Sequence, residues 1–222
     1  MLELLGVGIA RRDGTWLVRG ISARVDAPGV IVVTGGSVDA RRGVLDAIAG
    51  HVVPTEGRVW VSGIPVGPST RTRVRSLVRD VDPAFTLLGH RTVLTHVASN
   101  SRRFASLLPA ARQHDLGRAE AALDRVGLRP RASDALSKLA PSSRLMAEVA
   151  RALTERAEFV LIREIDASID SVTLETIASL LGRIASRERL TIVASARQPG
   201  PLLNVSDVTL TLAHQRTDVT VA

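Results

Sequence analysis

The amino-acid sequence predicts an α/β fold with a mostly parallel core sheet, and three observations lead to that prediction. The apolar run from Val30 to Val33 enters a glycine pair, Gly35 and Gly36, as a buried strand does before a tight turn. Strand and helix patterns alternate again after residue 137, which is typical of a parallel sheet covered by helices. Between residues 94 and 136 an Ala-, Leu- and Arg-rich stretch with helical spacing interrupts this pattern.

The N-terminal part is predicted to be an antiparallel β unit. Leu2 to Ala10 and Ile21 to Val25 have the composition of strands, and Arg12 to Gly14 forms a turn between them. Apolar periodicity predicts the remaining elements. They are helices over Arg42 to Ala49, Ser142 to Thr154 and Val172 to Ser186, and strands over Arg58 to Val66, Glu158 to Ile162, Leu190 to Ala194, Asp207 to Leu212 and Thr217 to Val221.

The chain is expected to form one domain over residues 1–222. Residues 1–93 and 137–222 would make the α/β body, and residues 94–136 a small helical subdomain inserted into it. Gly127 supplies a helix stop within the insertion.

Composition narrows the functional classes. The chain has no cysteine, which excludes disulfides and thiolate metal sites, and its five histidines show no ligand spacing, so no metal site is predicted. No apolar run reaches the roughly 18 residues that a membrane span needs, and no signal peptide is predicted. A net charge of +7 comes from scattered arginines, while aromatic residues are 2%. With few platforms for base stacking, nucleic acid is an unlikely partner.

The stretch after the first buried strand has the spacing of a phosphate-binding loop. In G-x-x-x-x-G-K-[ST], backbone N–H groups surround phosphates, the lysine reaches the terminal phosphates and the hydroxyl binds Mg²⁺. Here the frame runs from Gly35 to Arg42, and Ala40, Arg41 and Arg42 replace the second glycine, the lysine and the hydroxyl residue. The candidate residues of this altered loop are Gly35, Gly36, Ser37, Asp39, Arg41, Arg42 and Gly43.

Several phrases, in the same order over nearly the whole chain, resemble the nucleotide-binding subunit of ABC transporters, the ATP-binding cassette. They follow the altered loop: DAIAGHVVPTEGRVWVSGIPV (46–66), RTVLTHVA (91–98), KLAPSSRLMAEVARAL (138–153) and FVLIREIDASID (159–170). The resemblance implies a P-loop NTPase-like fold with an inserted helical subdomain. It also implies two cassettes that dimerise head to tail around ATP and drive a membrane permease.

The resemblance also assigns roles to individual positions. Glu164 stands where the general base would be, and Asp170 where a dimer-contact aspartate would be. Leu139, Ser142 and Ser143 lie in the signature segment, whose two glycines are missing. The other departures fall on nucleotide contacts: the adenine-stacking aromatic falls near Arg12, the Mg²⁺-sensing Gln near Pro83, the Mg²⁺-linked Asp at Arg163 and the γ-phosphate His near Arg197.

These departures act against metal-assisted chemistry. Mg²⁺ requires oxygen ligands, whereas Arg42 and Arg163 would place positive charge beside it, a repulsion of roughly several kcal/mol at an effective dielectric of about 20. Without the metal and a mobile lysine, phosphoryl transfer loses its main electrostatic stabilisation.

Two interpretations of the charged residues stay open at this stage. Glu164 is either a surviving base or, more simply, a strand-end acid paired with a nearby arginine. Arg41 and Arg42 either bind phosphate without a metal or pair with Asp39 and Glu164 at the start of the helix.

The sequence therefore predicts a catalytically degenerate cassette that is a structural or regulatory partner of a membrane transport complex. No cofactor is expected, and any ATP binding would be weak and without Mg²⁺. The expected partners are a permease subunit and a second cassette, which would place the chain in the cytoplasm at the inner face of the membrane. The alternatives are a divergent but active ATPase subunit that completes a composite site with a partner, and an Arg-rich module for anions or nucleic acid.

Overall fold

The computed structural model describes residues 1–82, 91–99, 109–213 and 217–221. The strands within these ranges are β1 (Leu2–Ala10), β2 (Trp16–Val25), β3 (Val30–Gly35), β4 (Glu56–Val61), β5 (Ile64–Pro65), β6 (Val78–Val81), β7 (Phe159–Ile162), β8 (Thr191–Ser195), β9 (Val208–Leu212) and β10 (Thr217–Val221). The α-helices are α1 (Val38–Ile48), α2 (Arg71–Leu77), α3 (Val93–Ala98), α4 (Pro109–Arg125), α5 (Pro141–Glu155) and α6 (Ser171–Glu188). Of these described helices, none is long and apolar enough to cross a bilayer.

The described strands form two sheets. One has the order β2-β1-β4-β5 and the other the order β10-β9-β3-β8-β7-β6. The first is antiparallel throughout, and the second is parallel except for β10, which runs antiparallel to β9. The predicted fold class, a mostly parallel core sheet with an N-terminal antiparallel unit and inserted helices, is confirmed.

The central strand β3 separates two apolar cores. Val30 and Val32 pack into the cluster that contains α5 and α6, and Ile31 and Val33 into the cluster that contains α1 and the antiparallel sheet. Alternate side chains of a strand point to opposite faces. Because both faces of β3 are covered, its sequence is an uninterrupted β-branched run.

Three predicted boundaries were wrong. Strand β2 begins at Trp16 and not at Ile21. Helix α1 begins at Val38, ahead of the predicted start at Arg42, because the Ser37 hydroxyl accepts a hydrogen bond from the Ala40 N–H at 3.1 Å and caps the helix. The predicted strand from Arg58 to Val66 is divided into β4 and β5 by a turn in which Ser62 and Gly63 both have positive φ.

Helix α2 and strand β6 were not predicted. Helix α2 has the sequence RTRVRSL, in which Val74 is the buried residue. One buried position leaves no periodic apolar pattern from which a helix can be recognised. Strand β6 follows at once and pairs in parallel with β7.

The helical region contains α3 and α4, which pack against each other and against α5. Ala119, Ala122, Leu123 and Val126, the residues that showed helical spacing, are buried in this packing. Residues 100–108 of the predicted subdomain lie outside the described residues.

A buried polar network connects α3 to the body of the protein. His96 Nε2 lies 2.6 Å from Glu148 Oε1, and the Arg79 guanidinium donates to Glu148 Oε2 at 2.7 Å. Burial raises the pKa of Glu148, but the hydrogen bond from His96 and the charge of Arg79 outweigh it and bring this pKa from 4.5 down to about 2. Glu148 therefore contributes stability in its ionised form.

We expect Glu148→Gln to reduce the acid sensitivity of the fold. A carboxylate with a lowered pKa stabilises the protein above pH 4.5 and loses that contribution as the pH falls towards about 2, and the full shift corresponds to about 3 kcal/mol. Urea unfolding at several pH values below 5 would measure it. The wild type should lose more unfolding free energy over this interval than the variant, and equal losses would contradict the role given to Glu148.

Candidate functional site

The glycine loop lies at the carboxyl edge of the parallel sheet, where β3, β8 and β7 end side by side. Gly35 has a φ of +71°, and a Cβ there would lie 2.5 Å from the backbone oxygen of Leu212 on the neighbouring strand. Only glycine fits such a position. The loop geometry predicted from the sequence is present, and α1 follows it directly.

Arg41 fills the concave side of this loop. Its side chain is 1% exposed, and its Nη1 donates to the carbonyl oxygens of Gly35 at 2.9 Å and Gly36 at 3.1 Å. The Nε and Nη2 atoms form a bidentate pair with the carboxylate of Glu164 at 2.9 and 2.6 Å. The hydrogen bond to Glu164 raises the pKa of Arg41 above its already high ordinary value, so the guanidinium stays charged.

Glu164 is fixed at the end of β7 by two groups, the Arg41 guanidinium and the Ser195 hydroxyl. Its backbone is left-handed, with φ 43°, and its N–H donates to the Ser195 hydroxyl at 2.9 Å. That hydroxyl in turn donates to Glu164 Oε1 at 2.9 Å. Partial burial raises the pKa of Glu164, but the hydrogen bonds from Arg41 and Ser195 lower it more, and the net effect is a lowered pKa. A lowered pKa makes this carboxylate a poor proton acceptor near neutral pH.

Arg163 occupies the centre of a second ion cluster beside the first. Its guanidinium donates to both carboxylate oxygens of Asp80 on β6, at 2.8 and 2.5 Å, and to Asp46 on α1 at 2.7 Å. Burial lowers the pKa of Arg163, but the two aspartates outweigh it and raise this pKa. The strand-end position that would carry a metal-linked aspartate thus holds a paired cation.

The other loop residues have local roles. The Asp39 carboxylate pairs with Arg11 of the N-terminal β unit, and Arg42 is exposed. Gly43 permits close packing on β1, since a Cβ there would lie 3.3 Å from Ile9. Three ion-paired arginines therefore surround the loop: Arg11, Arg41 and Arg163.

The signature-like segment and Asp170 lie at the starts of two helices. Leu139 is buried, and its carbonyl accepts from Arg144 Nε at 2.9 Å, while Ser142 and Ser143 are half-buried in the first turn of α5. The Asp170 carboxylate caps α6 by accepting from the Thr173 N–H at 2.9 Å, and that bond lowers the pKa of Asp170.

The chain matches the family model described as ABC transporter over residues 19–166. It is also 32% identical to a phosphonates import ATP-binding protein of Thiobacillus denitrificans, over 84% of this chain and 73% of the relative.

The chain belongs to the ABC transporter family.

Other comparisons agree with this family. The chain is 26% identical to a lipoprotein-releasing system ATP-binding protein of Saccharophagus degradans, over 77% of this chain and 75% of the relative. Its fold is similar to that of cbiO1 from Clostridium perfringens, part of an ABC transporter complex, with a TM-score of 0.86, 18% identity and coverage of 98% and 86% of the two chains. The predicted resemblance to ABC cassettes is confirmed.

Nucleotide with Mg²⁺, which the ABC family implies, does not fit the residues present. The Arg41 guanidinium donates its hydrogen bonds to Glu164 and to the loop carbonyls, so a buried cation that is already paired occupies the inside of the loop. Arg163, at the position where the resemblance implies a metal-linked aspartate, is a cation paired with Asp46 and Asp80. Among the described residues no group of acidic or histidine side chains is arranged to hold a metal.

Sequence reasoning missed three members of this site: Asp46, Asp80 and Ser195. Ser195 could have been found, because it closes the apolar strand TIVAS beside the loop strand. Asp80 lies within strand β6, which was not predicted, and Asp46 lies 117 positions from its partner Arg163. Of the positions compared with the family, Arg197 donates its N–H to Asp166, Arg12 is exposed, and Pro83 lies outside the described residues.

Proposed function

We propose that this chain is an ABC-type subunit that does not hydrolyse ATP and is a structural or regulatory partner in a membrane transport complex. The observation that carries the proposal is the position of Arg41. Its buried guanidinium binds both loop carbonyls and Glu164, so the phosphate position and the base position are joined by one internal ion pair.

The charges around the loop support the same conclusion. A general base needs a free carboxylate within reach of water, whereas both oxygens of Glu164 are engaged. Breaking the pair to admit a phosphate would expose a carboxylate that then repels the same phosphate. Binding of nucleotide would therefore oppose the interaction that orders the site.

A subunit without catalytic activity can still function in a transport complex, through its contacts with the other subunits. Relatives are named as ATP-binding proteins of phosphonate import and of lipoprotein release, and such names support a membrane transport system as the setting of this chain. A permease and a second cassette are the partners that we propose for it. The two relatives serve different cargoes, so we assign none. With these partners the chain would lie in the cytoplasm at the inner face of the membrane.

We expect the purified chain to show no Mg²⁺-dependent ATP hydrolysis above that of its Glu164→Gln variant. Arg41→Lys should not restore activity, because Arg163 remains at the metal position and groups that act as a unit are strongly non-additive. Phosphate release measured with excess Mg²⁺ and ATP tests both statements. Turnover that Glu164→Gln abolishes would favour a divergent but active ATPase subunit instead.

The same proposal is tested on the complex. An affinity-tagged chain, extracted from native membranes in mild detergent, should carry a permease and a second cassette. Val172, which is 77% exposed beside Asp170, lies on the surface expected to face that cassette. Val172→Glu should release it, whereas Leu203→Glu, at another exposed apolar position, should not. A chain recovered alone and only from the soluble fraction would contradict the proposal.

A further inference from the structure

A second charged feature lies at the opposite end of the parallel sheet from the glycine loop. It is a groove of about 910 Å³ between α6 and the residues that precede β3 and β9. Gly29, in its wall, comes directly before β3, whereas the glycine loop follows it. At about 3.3 Å per residue, a strand of this length separates the two by about 20 Å.

Three arginines line this groove: Arg183, Arg187 and Arg189. All are exposed, and within the part of the chain that the structure describes none makes an ion pair. Two carboxylates of this region are already engaged. Glu188 pairs with Arg125 at 3.2 Å, and Asp207 accepts from the Val30 N–H at 2.7 Å. The groove therefore has a local excess of positive charge.

This arrangement is electrostatically unfavourable without an anion. Arg183 and Arg187 lie one helical turn apart on α6, where like charges repel each other. A phosphate group would relieve the repulsion, because guanidinium groups bind its oxygens in a bidentate manner. The hydroxyls of Ser179 and Ser186, which also line the groove, can donate to further oxygens.

The floor of the groove is built from closely packed backbone. A Cβ on Gly29 would lie 2.3 Å from an oxygen of Asp207, and one on Gly182 would lie 3.3 Å from Val205. The two glycines thus let the segment before β3, helix α6 and residues 205–207 form one continuous surface. A ligand above this surface meets arginines from a single helix and its C-cap.

We propose that this arginine groove binds a phosphate-bearing anion. Its volume falls within the range of small-molecule sites, roughly 300 to 1,000 Å³, and its charge suits phosphate oxygens. The phosphate can belong to a soluble metabolite or to a lipid headgroup, and the chemistry recognised is the same. The inference does not depend on the proposed function, because it concerns the other end of the sheet.

Calorimetric titration with pyrophosphate, at constant ionic strength, tests the proposal on the full chain. The double variant Arg183→Gln/Arg187→Gln should weaken binding by about tenfold or more, because charge-assisted hydrogen bonds are lost. The control Arg58→Gln/Arg73→Gln removes the same charge from exposed positions elsewhere and should leave affinity within about twofold, since additivity at distant sites is the norm. Sedimentation with vesicles of phosphatidylcholine and phosphatidylglycerol measures binding of the same variants to lipid headgroups.

Loss of pyrophosphate binding in the groove variant alone supports a soluble ligand, and loss of vesicle binding in that variant alone supports a headgroup. Equal losses in both double variants would overturn the proposal, because the effect would then be diffuse charge screening. If Arg42→Gln abolishes pyrophosphate binding instead, the phosphate binds at the glycine loop, and the groove proposal is overturned. Only that last outcome touches the proposed function, so the two failures are distinguishable. If the wild type binds neither pyrophosphate nor vesicles, the groove proposal is overturned and the proposed function is unaffected.

Discussion

Replacing Arg41 with alanine is expected to lower the free energy of unfolding by about 3 to 5 kcal/mol, the cost of breaking a buried ion pair by removing one partner. The change leaves Glu164, which is 16% exposed, without its cation and removes the donor to the carbonyls of Gly35 and Gly36. Urea denaturation of the wild type and the variant measures the difference.

A double-mutant cycle separates the pair from general damage to the core. Arg41→Ala combined with Glu164→Ala should cost clearly less than the sum of the two single changes, because no unpaired charge then remains. The bidentate pair of Arg19 and Glu56 is a matched exposed control, and Arg19→Ala should cost no more than about 1 kcal/mol. Additive effects at Arg41 and Glu164 would show that the pair does not hold the site together.

Arg163→Ala is the second change with a large expected effect, about 3 kcal/mol at neutral pH, because it leaves two carboxylates of one cluster without a shared cation. Asp46 and Asp80 would then face each other across the sheet edge. Urea denaturation of the wild type and the variant at neutral pH measures the difference.

Arg163→Lys is the control for charge without the guanidinium fork. It should recover part of the lost stability, since a lysine preserves the charge but cannot bond Asp46 and Asp80 together in the same geometry. If Arg163→Met, which retains an aliphatic stem without the charge, recovers as much stability as Arg163→Lys, the deficit would instead come from lost packing of the stem.

The parts of the fold that could be predicted are those with a strong local pattern. Strand β3 has an unbroken β-branched run, and α6 places Leu174, Ile177, Leu181 and Ile184 on one face. Helix α2 has a single buried residue, so its sequence carries no such signal. Helix α1 begins earlier than its apolar pattern predicts, because the hydroxyl of Ser37 caps it within the residues that match the spacing of a phosphate-binding loop.

The site could be predicted only in part, for a related reason. Position in the chain indicated that Arg41, Glu164 and Arg163 stand at a strand-end site. The pairing of Arg41 with Glu164, across 123 positions, was one of two interpretations that the sequence left open. The pairing of Arg163 with Asp80, across 83 positions, was not predicted. Such pairing depends on the order of strands in the sheet, and the strand that carries Asp80 has no distinctive sequence pattern.

The clusters centred on Arg41 and Arg163 have a consequence for how this subunit would respond to the state of the cell. Their cations are covalently part of the chain, so their local concentration does not change with free Mg²⁺ or with the ratio of ATP to ADP. A chelator should leave the melting temperature of the chain where it was. In an assembly with a catalytically active half, the timing of each cycle would then be set entirely by that half, while this one presents the same surface at every stage.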